Sequence, residues 1–160
     1  MKELKIESTI YLFDSLEELP KEAKQLMDKA IEARKKAYAP YSHFSVGAAL
    51  LLENGKIITG NNQENASYPS GLCAERTAIY YANSQYPDTK IIRMAITAGS
   101  QKSQTASPVP PCGACRQAIA EYEVKQEVPI EIYFMGEIGK IAKSSSLANL
   151  LPLIFDKSAL

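Results

Sequence analysis

Three cysteines, Cys73, Cys112 and Cys115, constrain what this 160-residue chain can fold into more than any other feature. They stand in two motifs, Cys73-Ala74-Glu75-Arg76 and Pro111-Cys112-Gly113-Ala114-Cys115-Arg116, and no cysteine is left over for a disulfide framework. Three thiolates brought to one point suit Zn²⁺, and three protein ligands leave its fourth position open to water. An open position is what a catalytic zinc site needs. Any fold for this chain must therefore carry residue 73 to the place where 112 and 115 lie.

Local geometry says how. Cys112 and Cys115 are three apart, so a helix beginning at Pro111 or Cys112 puts both on one face near its N-terminus. Cys73 is predicted to open a second helix through Ala74, Thr77, Ala78, Ile79, Tyr81 and Ala82. Two helix N-termini then direct partial positive charge at the sulfurs and favour the thiolate form. Three thiolates on one Zn²⁺ still leave about one net negative charge by formal counting, which makes a bound water harder to deprotonate. Arg76 and Arg116 each adjoin a site residue, and a guanidinium hydrogen-bonded to sulfur offsets that charge; Arg76 is the expected one. Glu75 is poorly placed to be a ligand beside Cys73 but can reach a water on the metal.

Cys73-x-Glu75 with Pro111-Cys112-x-x-Cys115 resembles the cytidine deaminase family, in its small three-cysteine form that acts on free nucleosides. The zinc nucleobase deaminases carry this type of signature, with a non-ligand Glu that shuttles protons. The resemblance extends over most of the chain from about residue 20 to about residue 155. It implies one Zn²⁺ per subunit on Cys73, Cys112 and Cys115, with Glu75 as the catalytic acid and base. The implied reaction is hydrolytic deamination of cytidine or deoxycytidine to the uridine product with loss of ammonia.

The same resemblance supplies expectations for the substrate. Ala37-Tyr38-Ala39-Pro40-Tyr41-Ser42-x-Phe44-x-Val46-Gly47 looks like the family's first-helix exit and first strand, which puts Phe44 against the pyrimidine. Backbone groups near Ala74 are expected to hold the pyrimidine edge. Asn62 and Glu64 stand two apart, so an extended segment offers their amide and carboxylate to adjacent hydroxyls. Asn62-x-Glu64-Asn65-Ala66 is similar to the family segment that holds the sugar 3′-hydroxyl, and Tyr68 at its end joins the expected substrate-binding set. Gln63 and Asn61 depart from the family's apolar residue and cysteine without touching a ligand. Leu150-Leu151-Pro152-x-x-Phe155 is similar to a terminal motif whose Phe enters a neighbouring subunit's active site. That implies a homotetramer, with a dimer as the smaller alternative, although such a cluster could equally close the chain's own core.

Composition narrows the partners. Eighteen basic and eighteen acidic residues cancel, whereas a protein tracking a phosphate backbone usually shows a basic excess. A small uncharged nucleoside is expected, with no nucleic acid. Met1–Lys5 mixes both charge signs, and no stretch approaches a membrane span, so no membrane partner and a cytoplasmic location are expected.

Periodicity gives a single α/β domain. Leu4 to Leu12 alternates like a strand; Ser15-Leu16-Glu17-Glu18 has capping-box form; Lys21 to Tyr38 follows the helical period. Ser45–Leu52 and Lys56–Gly60 read as strands around Asn54-Gly55, a strong hairpin signal. Ile91–Ala98 reads as a central strand, Cys112 to about Tyr122 as a helix, and Val128–Phe134 and Lys140–Lys143 as strands. The expected architecture is cytidine-deaminase-like: a three-layer α/β/α domain over residues 20–160 with a mixed sheet of about five strands. Residues 1–19 form an extension, either an extra strand or an arm. The loop from Gly99 to Pro111 is expected either at the rim of the pocket or as surface decoration.

Other readings compete less well. A structural zinc site needs a fourth protein ligand, and the lone histidine, His43, is expected at a strand start facing away from Phe44, exposed or loosely bonded. A dithiol redox role for Cys112-x-x-Cys115 leaves Cys73 and Glu75 unused. A zinc deaminase of another aminated nucleoside or base is the nearest alternative.

Overall fold

The computed structural model describes residues 1–160. Six strands form one sheet: β1 (Tyr11–Phe13), β2 (Phe44–Leu52), β3 (Ile57–Asn61), β4 (Ile91–Ser100), β5 (Glu131–Met135) and β6 (Ile141–Ser144), in the order β1-β6-β5-β4-β2-β3. Neighbouring strands are antiparallel except β4 and β5, which run parallel. Three α-helices cover the sheet: α1 (Lys21–Arg34), α2 (Ala74–Gln85) and α3 (Gly113–Gln126). The sheet has six strands rather than about five because Tyr11–Phe13 pairs with the free edge of β6.

Side-chain period explains the three layers. Along β2, Ala48, Leu50 and Leu52 pack with Ala78 and Ile79 of α2 and Ile119 of α3, while Ala49 turns to the opposite face. There it meets Leu26, Met27 and Ala30, the apolar stripe of α1. Both faces of the central strands are covered, as their near-continuous apolar runs require. None of the helices is long and apolar enough to cross a membrane.

Topology positions the cysteines. β3 and β4 both pair antiparallel with β2, so they point the same way. α2 follows β3 and α3 follows β4, so both helices begin beyond the carboxyl ends of their strands, where ligands of such sheets collect. Close contact between β3 and α2 depends on Gly60, since a Cβ there would stand 2.6 Å from both Ala74 O and Ala78 N. Gly60→Ala is expected to lower the unfolding free energy by about 1–3 kcal/mol through overpacking. Urea denaturation reads this, and an unchanged midpoint would show that the helix moves aside freely.

Several elements differ from the sequence expectation. α1 ends at Arg34 instead of Tyr38, because Tyr38 is drawn to the segment after β3: its N–H donates to Asn62 O at 3.0 Å and its carbonyl accepts from Glu64 N at 2.9 Å. The alternating run from residue 4 to 12 pairs only over Tyr11–Phe13. Ser15 makes no side-chain cap; Asp14 N–H donates to Glu18 Oε2 at 2.8 Å, and Leu16–Glu18 is a separate 3₁₀ turn. β5 and β6 start later than predicted, at Glu131 and Ile141. α3 runs on to Gln126 and stops at Glu127, which has a left-handed φ of 54°. The Asn54-Gly55 hairpin forms, with Gly55 at a φ of 80° that favours glycine.

Candidate active site

Cys73 and Cys112 immediately precede the first turns of α2 and α3, and Cys115 lies within the first turn of α3. Their sulfurs all lie within 4.8 Å of one another, with Cys73 Sγ and Cys112 Sγ 3.9 Å apart. Tetrahedral bonds of about 2.3 Å space sulfurs about 3.8 Å apart, so a contraction of at most about 1 Å seats one Zn²⁺. No histidine or carboxylate joins the cluster. Cys73 and Cys112 line a cavity of about 290 Å³ together with Glu75, so the cluster has an open side next to that carboxylate.

Charge is arranged around the sulfurs. Cys73 is held down at about 5, first by a hydrogen bond with Cys115 and then, against burial, by Arg76, whose Nη2 donates to Cys73 Sγ at 3.5 Å. Cys115 is pushed up by the same hydrogen bond and by burial, so without metal the pair keeps a proton on the Cys115 side. The bond to Cys73 in turn raises Arg76 and keeps its charge fixed. Arg116 does other work: its Nε reaches Pro111 O and its Nη1 reaches Leu150 O, each at 2.9 Å, which braces the second motif against the C-terminal segment. Glu75 is 4% exposed, and burial, with the Cys73 charge adding to it, pushes its carboxyl up. A carboxyl raised toward neutrality can both take and give a proton.

The rest of the cavity wall is largely apolar, with Phe44, Val46, Ile96 and Ala98 on it. Ser42, Asn62, Glu64 and Cys73 are shared with a wider adjoining cavity of about 420 Å³ that also carries Tyr68 and Arg76. Asn62 and Glu64 reach both spaces, yet much of their bonding is spent on the loop before β2. Asn62 Oδ1 accepts from Val46 N at 2.7 Å and its Nδ2 donates to Phe44 O at 3.0 Å. Glu64 accepts from Tyr41 N at 2.9 Å, from Ser42 N at 3.2 Å and from the Ser42 hydroxyl. The Ser42 hydroxyl, helped by these two backbone donors, holds Glu64 below the usual carboxylate range. This clamp fixes Phe44 beside the metal motif, and both side chains keep some unused bonding capacity.

The family model for the cytidine and deoxycytidylate deaminase zinc-binding region matches residues 20–131. The chain belongs to the cytidine and deoxycytidylate deaminase family. It is 48% identical over 131 residues to a cytidine deaminase of Halalkalibacterium halodurans, covering 81% of this chain and 91% of that one. A cytidine deaminase of Sporosarcina psychrophila is 41% identical over 139 residues, covering 87% of this chain and 95% of its own. Among solved structures, a cytidine deaminase from Burkholderia pseudomallei superposes with a TM-score of 0.70 at 37% identity, over 82% of this chain and 97% of that one. In this member of the deaminase family, Cys73, Cys112 and Cys115 form the Zn²⁺ site.

Not every residue expected in the deaminase site lies there within one chain. Phe155 is 63% exposed and lines neither cavity; its carbonyl accepts from Gln117 Nε2 at 2.8 Å. Ala74 is fully buried at the start of α2. His43 is not a strand residue: it occupies a left-handed turn at φ 57°, its N–H donating to Ala39 O at 3.1 Å, and it stands outside the sulfur cluster. His43→Ala is expected to leave zinc content at one per chain, and loss of zinc on elemental analysis would overturn the three-sulfur site. Sequence reasoning had no role for Ser42, Ile96 or Ala98. Ser42 was visible only as part of the Pro-Tyr-Ser turn before Phe44. Of the long loop before the second motif, Val109 and Pro110 reach the cavity, whereas Gln101 to Gln104 stay exposed.

Proposed function

We propose that this chain catalyses zinc-dependent hydrolytic deamination of cytidine and deoxycytidine, giving uridine and deoxyuridine and releasing ammonia in pyrimidine salvage. The observation that carries this reading is the buried Glu75 carboxyl beside the three sulfurs, at the base of a cavity walled by Phe44, Val46, Ile96 and Ala98. Zn²⁺ held by Cys73, Cys112 and Cys115 would supply an activated water at neutral pH. Glu75 would take one proton of the attacking water and pass it to ring N3 as the C4–O bond forms. Glu75 then delivers the second water proton to the amino group, the C4–N bond breaks, and ammonia leaves with a carbonyl at C4. Phe44 and the apolar wall hold the pyrimidine face and keep bulk water from the reacting carbon. The Ala74 backbone reads the pyrimidine edge, and Asn62, Glu64 and Tyr68 address the sugar. Arg76 offsets the negative charge of the sulfurs.

In this reading residues 20–160 carry the catalysis and residues 1–19 are an extension. The enzyme works in the cytoplasm on free nucleosides, and its balanced charge supports a substrate other than nucleic acid. It assembles as a homotetramer in which Phe155 completes a neighbour's site; the exposure of Phe155 and of Tyr68, 75% exposed at the rim, supports this. An ammonia-release assay across cytidine, deoxycytidine, cytosine and adenosine, with zinc measured on the same sample, tests the proposal. Turnover is expected for the two cytosine nucleosides and not for adenosine. A zinc-loaded sample inert on both nucleosides would overturn it.

A further inference from the structure

Residues 2–10 lie outside the stretch that matches the deaminase family, and no catalytic role falls on them. Their pattern is that of a strand, with Leu4, Ile6, Ser8 and Ile10 on one face and Glu3, Lys5, Glu7 and Thr9 on the other. Yet they form no strand, and their one hydrogen bond to the body of the protein is from Thr9 N–H to Asn149 Oδ1 at 3.1 Å. Leu4 is 80% exposed, and Ile6 and Ile10 are also exposed. The arm leads into β1, the edge strand of the sheet. Unpaired main chain and an apolar face next to a sheet edge form a template for another strand.

We propose that the arm pairs with the arm of a second copy of this chain, antiparallel about a two-fold axis at Ile6. Charge favours an antiparallel second copy, and the ion pair within each arm fixes the register: an axis at Leu4 would also set Lys5 against Glu3, but only an axis at Ile6 joins two Lys5–Glu7 pairs into one ring of four alternating charges. Lys5 and Glu7 lie on one side of the extended chain, their charged ends 2.7 Å apart. With the axis at Ile6, Lys5 faces the second copy's Glu7 and Glu7 faces its Lys5, so the four charges alternate in sign. Ile6 then meets Ile6 on the apolar face. An axis at Lys5 or Glu7 would set like charges against each other, as would parallel in-register pairing, and like charges directly opposite are destabilising. Two-fold self-pairing is the symmetry most homo-oligomers adopt.

The test uses the zinc-loaded full chain with Ile6→Cys, which places one thiol on the proposed axis. Mild oxidation is expected to give a covalent dimer that the unsubstituted chain does not form. Adding Lys5→Glu, which makes all four facing charges negative, is expected to slow dimer formation at limiting concentration by roughly ten- to a hundred-fold. Adding Glu7→Lys to that variant restores alternation and is expected to recover the original rate, with deaminase activity unchanged throughout. Absence of the covalent dimer, equal rates in all three backgrounds, or failure of the charge swap to recover the rate would each overturn the pairing.

Discussion

Glu75→Gln is expected to retain one zinc per chain and to lose roughly 10² to 10⁴ of turnover, the range associated with general acid–base catalysis. The substitution keeps the size and the hydrogen-bonding oxygen of the side chain but removes its ability to accept or return a proton. Zinc should stay, because Glu75 stands outside the sulfur cluster. No other carboxylate takes over, since Glu64, the one other acid on the cavity, is tied to Tyr41 N and to Ser42. The loss should fall on kcat with KM nearly unchanged, because the proton transfers are made in the transition state and not on binding. Steady-state kinetics with zinc analysis on the same preparation reads both quantities. Near-normal turnover would remove Glu75 from its role.

Cys115→Ala is expected to bring zinc from about one per chain to near zero after dialysis and to abolish activity with it. Cys115 is fully buried in the first turn of α3, where alanine fits without a void of consequence, so the fold should survive and isolate the loss of the ligand. Chelation of the unsubstituted protein should have the same effect, reversed by added Zn²⁺. The pH dependence has a definite sign. The bond to Cys73, and then burial, push the Cys115 thiol up, so zinc uptake must release that proton, and affinity should rise with pH by roughly tenfold per unit for each proton released. Competition titrations at two pH values read the slope; an affinity indifferent to pH would mean that the thiols were already ionised before metal arrived.

Much of the fold is legible in local sequence, and the limits are physical. The apolar stripe of α1 as far as Arg34, the Asn54-Gly55 turn and the apolar strand β2 before that turn each record a short-range requirement, and each forms in the structure. The convergence of Cys73 with Cys112 and Cys115 is a long-range consequence of β3 and β4 running the same way, and only their spacing and chemistry hint at it. What pattern alone does not show is where a polar side chain spends its bonds. Asn62 and Glu64 could be read as an amide and a carboxylate in an extended segment, but not as the clamp on the loop carrying Phe44. Arg116 looks as well placed as Arg76 by position, yet it holds two carbonyls while Arg76 reaches sulfur. α1 stops short for the same reason, since Tyr38 finds partners far along the chain that no helical period reveals. The residue 4–12 alternation is a strand signal that finds an edge to pair with inside one chain only from Tyr11 onward.

The proposed chemistry requires a metal held by three sulfurs with its remaining position available to solvent. X-ray absorption at the zinc edge of the loaded protein measures this directly. Three sulfur neighbours at about 2.3 Å and one oxygen at about 2.0 Å, unchanged in His43→Ala, are the predicted result. A fourth sulfur, or a histidine nitrogen that disappears in that variant, would contradict it.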